Sequence, residues 1–153
     1  MKMNITKTEQ PIPIVILHLE GILDGASYQK LNEKAQTIFA GGARDLILDL
    51  SDLTFLSSAG LGALHQVALL FQGKPRRHLD ESWAGYRWAT YRNIKRDHDL
   101  RRQEHVKLLS PSKEVREVLD MVGFDSLFEI YAHMPQALNS FREHASLDQP
   151  GMR

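Results

Sequence analysis

The chain has 153 residues, 42% apolar and 25% charged, with a formal net charge of zero. That length suits one domain with a core of useful size, and the neutral balance argues against a nucleic-acid binder driven by phosphate attraction. Cysteine is absent, which excludes disulfides, thiolate metal sites and cysteine nucleophiles and fits a reducing compartment. No apolar run approaches the ~20 residues of a membrane span. The opening Met1-Lys2-Met3-Asn4-Ile5-Thr6-Lys7 lacks the apolar core of a signal peptide. A soluble, cytoplasmic protein is the expectation.

Residues 3–8 mix polar and apolar positions and suit a short edge strand. Pro11 and Pro13 break the chain into a turn. The β-branched run from Ile14 to Leu19 predicts a buried strand. Gly21 and Gly25 flank Ile22, Leu23 and Asp24 in an expected turn. Leu31, Ala35 and Ile38 recur at helical spacing, so a helix is predicted from about Ser27 to Phe39, stopped by Gly41-Gly42. Residues 44–50 are apolar on both faces, as in a central strand covered by helices on both sides. After a short loop, a helix from Ser58 to about Phe71 is expected.

Residues 73–104 break the pattern. Aliphatics are few, and positions 74–104 carry nine Lys/Arg against five Asp/Glu. This stretch reads as an insertion or long loop, and loops of this length are uncommon without a function. Trp83, Tyr86, Trp88 and Tyr91 point to a packing or contact role. Alternation of aromatic and basic residues is compatible with nucleic acid, but a solvated loop is the favoured reading. A short strand is then expected over Val106–Leu109. A helix follows, its start set by Pro111 or Ser110, because Ser112 lacks the usual Glu three residues later. Val115, Val118, Leu119 and Val122 form that helix's apolar face, and Gly123 ends it. Leu127–Tyr131 reads as a last strand, His133 to about His144 as a last helix, and 146–153 as a frayed tail. The order β-β-α-β-α-(insert)-β-α-β-α predicts an α/β domain over 1–145. It has a mixed, mostly parallel sheet of four to five strands and about four helices.

The chemistry-bearing stretch runs from Asp49 to Gly62, where an apolar strand leads through a loop into Ser57 and Ser58 and then Ala59-Gly60-Leu61-Gly62. Two hydroxyls at a helix mouth face unpaired N–H groups and the positive end of the helix dipole. A cap is one reading; a regulatory phosphoserine, adding about −1.5 to −2 charge, is the other. Asp24, in a separate turn, is either a cap for the first helix or a carboxylate that such a phosphate would repel. Gly60 and Gly62 fit no nucleotide-binding loop motif, and close approach of another backbone is their expected role. A serine hydrolase built on Ser58 and His65 is disfavoured. The two lie seven residues apart, roughly 10 Å of helical rise, and no G-x-S-x-G elbow is present. The seven histidines show no metal-ligand spacing.

The segment DLSDLTFLSSAGLGAL, with the G-x-L-D turn at Gly21–Asp24, resembles the signature of the STAS domain, the anti-sigma factor antagonist family. The resemblance covers residues 14–72 and, through VKLLSPSKEVREVLDMVGFDSLFEIY, 105–141; the insert at 73–104 lies outside it. It implies a small α/β module that binds a partner and does no chemistry itself, with no cofactor and no metal. The implied partner is an anti-sigma factor that is also a serine kinase. Phosphorylation at the start of the signature helix releases that partner, and a serine phosphatase resets the switch. The implied contact surface comprises Asp24, Ser57, Ser58, Ala59, Gly60, Leu61 and Gly62. Ser57 stands where the family often has aspartate, and Ala59 where some members carry the phosphorylated serine. Members with D-S-A-G use the serine that aligns with Ser58, so Ser58 is the implied phosphosite and Ser57 the second choice. The alternative is a STAS scaffold without phosphorylation that serves a protein, nucleotide or lipid-transport partner.

Overall fold

The computed structural model describes residues 1–9, 12–73 and 103–148, with side chains through Phe141. The basic aromatic stretch singled out above thus lies almost wholly outside the described residues. The elements are β1 (Lys2–Thr8), β2 (Ile14–Leu23), α1 (Tyr28–Ala40), β3 (Leu46–Leu56) and α2 (Ser58–Phe71). They continue with β4 (Gln103–Leu109), α3 (Lys113–Met121), α4 (Phe124–Leu127), β5 (Phe128–Tyr131) and α5 (Met134–Asp148). The strands form one five-stranded sheet in the order β1-β2-β3-β4-β5. β1 joins β2 antiparallel, and the other neighbours are parallel.

Because consecutive parallel strands lie side by side, right-handed crossovers place all their connecting helices on one face. α1, α2, α3 and α4 bury that face together. Val15, Leu17 and Leu19 of β2, Leu46, Leu48 and Leu50 of β3, and Val106 and Leu108 of β4 meet Leu31, Leu64, Leu119 and Phe124 from the helices. Alternate residues Ile14, Ile16, Ile47 and Leu109 point the other way, against Ala137 and Phe141 of α5. β3 is therefore the central strand with helices on both sides, as its doubly apolar run implies. Phe39 of α1 meets Phe71 of α2 edge to face at 5.2 Å between ring centroids, and the Arg44 guanidinium lies 3.8 Å over the Phe39 ring. At the start of β4, the buried Gln103 amide donates to the Ala68 carbonyl and accepts from the His105 N–H, so its polar ends are satisfied.

Several boundaries differ from the sequence reading. β2 continues through Ile22 and Leu23 rather than turning at Gly21, with register shifts between His18 and Glu20 and between Gly21 and Ile22. Those bulges absorb the glycine without ending the pairing. β3 likewise continues through Leu56 where a loop is expected after residue 50, because Asp52, Leu53, Phe55 and Leu56 pair with β2. Ser112, not Pro111 or Ser110, caps α3: its hydroxyl accepts the Val115 N–H at 3.2 Å. Glu at the third position is dispensable for that bond. The short helix α4 follows Gly123, which sits left-handed at φ 80°, a conformation glycine adopts at no steric cost. β4 starts earlier than expected, at Gln103, and α5 reaches Asp148.

One charge lies inside this fold. Lys107 is fully buried on the α5 side of the sheet, paired with Glu129, with Nζ 4.9 Å from the Phe141 ring centroid. Glu129 also accepts from the Tyr131 hydroxyl at 2.6 Å. Breaking a buried pair from one side leaves a desolvated charge, whereas replacing both members by apolar groups is often neutral. Glu129→Leu, which leaves the buried Lys107 ammonium unpaired, is therefore expected to cost roughly 3 kcal/mol in urea unfolding, and Lys107→Met with Glu129→Leu to recover most of it. Equal losses in the single and double variants would contradict this account.

Candidate functional site

The C-terminal ends of β2 and β3 and the N-terminus of α2 converge on one spot. Ser57 has extended backbone (φ −93°, ψ 177°), and its Oγ accepts the Gly60 N–H at 3.2 Å, so it caps α2. Its own N–H donates to the Leu23 carbonyl at 3.0 Å, stitching the helix start to the end of β2. The stitch is close. A Cβ on Gly60 would lie 2.6 Å from the Leu23 carbonyl oxygen and 2.7 Å from Leu56 Cδ1. Gly60 is the glycine whose predicted role, close approach of another backbone, is met in the geometry.

Asp24 follows Leu23 directly, so the same contact brings its turn beside the serines. Its Oδ1 accepts from the Ala26 N–H at 3.0 Å, while Ser27 Oγ accepts the Asp24 N–H at 3.0 Å and donates to the Ile22 carbonyl at 2.8 Å. Ser27 stands at the start of α1 but makes no side-chain cap bond to that helix; Asp24 and Ser27 fix each other instead.

The two serines have different environments. Ser57 is half-buried and engaged as the cap. Ser58, the first helical residue, is exposed, and its hydroxyl has no hydrogen-bond partner among the described residues. Ala59, Gly60, Leu61 and Gly62, placed in the implied contact surface with Ser57 and Ser58, are buried and lie beneath the exposed Ser58. A first helical turn packed on β2 has no other place to put them. His65 is 1% exposed, inside the core while Ser58 faces solvent, so the pair considered for hydrolysis is not brought together.

Two features escaped the sequence reading. Ile22 and Phe55 are register partners on β2 and β3, 47% and 53% exposed, forming an apolar pair next to the Asp24 turn and Ser57. Their strand positions become visible only once β2 and β3 extend past residues 19 and 50. The second feature is a polar seam on the α5 side of the sheet. His18 Nδ1 lies 2.9 Å from Asp49 Oδ2, and its Nε2 lies 2.9 Å from Asp52 Oδ2. Asp49 also accepts the Ser51 N–H at 3.1 Å. The available signal was a polar residue interrupting each apolar strand at facing positions. Among the described residues, no group of three or more His, Cys, Asp or Glu is arranged to hold a metal.

Residues 4–74 match the family model of the STAS domain. That likeness to the STAS domain spans 71 of the 153 residues, from β1 through α2. Solved structures agree in fold over nearly the whole chain. A candidate anti-sigma factor antagonist from Thermotoga maritima is 17% identical, covers 92% of this chain and 94% of its own, and superposes with a TM-score of 0.65. The Bacillus cell-fate determinant SpoIIAA in its phosphorylated form is 19% identical over 89% of this chain and 97% of its own, TM-score 0.53. A serine-to-glutamate variant of RsbS from Moorella thermoacetica is 16% identical over 95% and 98%, TM-score 0.58. No curated protein sequence matches the chain. No helix among the described residues is long and apolar enough to cross a membrane.

The signature carries one measurable packing constraint. Gly60→Ala forces a carbonyl oxygen and a core leucine to move, and is expected to cost roughly 2–3 kcal/mol in denaturant unfolding, as overpacking does. A loss below about 0.5 kcal/mol would show that the contact relaxes freely.

The seam sets a pH dependence. Hydrogen bonding to Asp49 raises the His18 pKa above its ordinary 6.5, against a smaller opposing effect of burial. His105 is raised in the same sense by Asp45, 3.0 Å away. Burial pushes Asp49 up, but the bonds from His18 and Ser51 together hold it below its ordinary 3.8. The histidine contributions are complete below about pH 6.5 and disappear as pH rises through the raised values. The Asp49 contribution is present above about pH 3.8 and disappears as pH falls through its lowered value. Unfolding free energy of the wild type should therefore decline as pH rises above about 6.5. His18→Asn with His105→Asn should flatten that decline, and an unchanged slope in the double variant would remove the assignment.

Proposed function

We propose that this protein is an anti-sigma factor antagonist, a protein-binding module without catalytic activity that is switched by phosphorylation of Ser58. One observation carries the reading. At the start of the signature helix, Ser57 is occupied as the cap while Ser58 is exposed with a free hydroxyl. The fold shared with anti-sigma factor antagonists, one of them in a phosphorylated form, supports it. Residues 1–145 act as one unit interrupted by the 73–104 insert. The partner is an anti-sigma factor with serine kinase activity, a serine phosphatase reverses the modification, and the setting is cytoplasmic.

The physical case has two sides. A phosphate on Ser58 is tolerated by the free protein, because the first turn of a helix favours negative charge. In the complex the same dianion sits at the contact surface beside Asp24 and the apolar Ile22–Phe55 pair. Desolvating a charge without a counter-ion costs several kcal/mol, and each 1.4 kcal/mol is a factor of ten in affinity. Release by a factor of about 100 or more follows.

The test is phosphorylation and binding with the anti-sigma serine kinase of the same genome. Ser58→Ala is expected to abolish labelling and keep binding. Ser58→Glu should weaken binding at least about tenfold. Ser57→Ala should lose about 1 kcal/mol of stability as a cap but still be labelled. Undiminished labelling of Ser58→Ala would sink the assignment.

A further inference from the structure

We infer that the free edge of β1 pairs with the same edge of a second copy of this chain, antiparallel about a two-fold axis through Ile5, so that two sheets join into one. β1 ends the sheet: β2 pairs with one side of it, and among the described residues no strand pairs with the other. Every second residue of β1 therefore turns its backbone N–H and C=O outward, a template for a further strand. The opposite edge is blunted by its shortness, since β5 has four residues. β1 has seven residues and no proline, and its register with β2 runs without a bulge from Lys2 to Thr8. Five of the seven are exposed.

The side chains select the occupant. Ile5 stands opposite Leu17, and opposite residues of an antiparallel pair share a face. Leu17 is fully buried in the main core and Met3 packs against that core, yet Ile5 is 41% exposed. The apolar face of the sheet thus runs out to its edge and stops uncovered at the middle residue of β1. A second copy paired about Ile5 uses the whole strand. Ile5 meets its own symmetry mate, Asn4 meets Thr6, Met3 meets Lys7 and Lys2 meets Thr8. On the core side, apolar groups meet each other or the aliphatic stem of a lysine; on the other side, polar meets polar. Neither lysine faces a like charge, which is destabilising at directly opposed positions. A register shifted by one residue sets opposite faces against each other. A shift of two leaves two residues of each strand unpaired and takes Ile5 off its mate.

This pairing is independent of the proposed function and compatible with it. β1 runs beside Ile14–Glu20 of β2 and ends short of Ile22, so Ile22, Phe55 and Ser58 stay open in the dimer.

The test is sedimentation equilibrium of the full chain from micromolar to sub-millimolar concentration, where a concentration-dependent dimer is expected. Ile5→Lys and Ile5→Glu each place like charges opposite one another and should weaken the dimer at least about tenfold, with the far-UV CD spectrum unchanged. An equal mixture of the two should recover it, because Lys then meets Glu across the axis. The chain has no cysteine, so single cysteines read the register. Ile5→Cys should crosslink under mild oxidation, since opposed Cβ atoms lie about 4.5–5.5 Å apart, near the disulfide spacing. Lys7→Cys should not, its mate lying four residues along at ~3.4 Å each. A chain that stays monomeric throughout the range would overturn the pairing, whether its edge is bare or covered by another segment or protein. So would Ile5 variants that dimerise as tightly as the wild type, a mixture that recovers nothing, or Lys7→Cys crosslinking as fast as Ile5→Cys.

Discussion

The close approach of α2 to the end of β2 is the constraint on which the rest of the surface depends. Ser57 N–H bonds the Leu23 carbonyl while Gly60 presses on the same residue with no room for a Cβ. A single hydrogen bond is worth about a kilocalorie. The packing of Leu23 and Leu56, 0% and 3% exposed, supplies the larger share. Held this way, the first turn of α2 has its glycine and alanine inward, and Ser58 is left on the outside. The Asp24 turn arrives at the same place because it is the next residue along the chain.

The sheet beneath is asymmetric. One face carries the continuous apolar core under α1 to α4; the other is apolar only where α5 covers it and becomes charged beyond. His18, Asp49 and Asp52 satisfy one another at that margin, and Lys107 with Glu129 does so under α5 itself. A paired charge contributes little to net stability compared with a well-packed apolar residue. Its effect is to make the strand register unambiguous, since a slip of one residue would bury these groups against the wrong neighbours. The DLSDL stretch thus links the strand that carries the signature to its neighbour β2 through His18, away from the serines.

For the proposed function, a small exposed surface is sufficient. Ile22 and Phe55 supply apolar area next to a helix N-terminus that accepts negative charge. Under the proposed function, affinity and its loss are set by one hydroxyl.

The sequence by itself determined the order of the strands and the longer helices, the central position of β3 and the place of the serine pair. Those follow from local patterns: alternation, helical spacing and glycine stops act over a few residues and survive without knowledge of the fold. It misplaced the ends of β2 and β3, because Gly21 and the polar Ser51-Asp52 are turn-like locally, and only pairing between the two strands keeps them extended. It ranked Ser58 above Ser57 through the family resemblance alone, with no physical difference between the two. Their difference, cap against exposed hydroxyl, arises from where Leu23 meets Gly60, two residues 37 positions apart. The His18 seam is likewise a juxtaposition of distant residues. Tertiary structure decided these, because hydrogen-bond satisfaction and close packing are properties of neighbours in space, which no local pattern in the chain encodes.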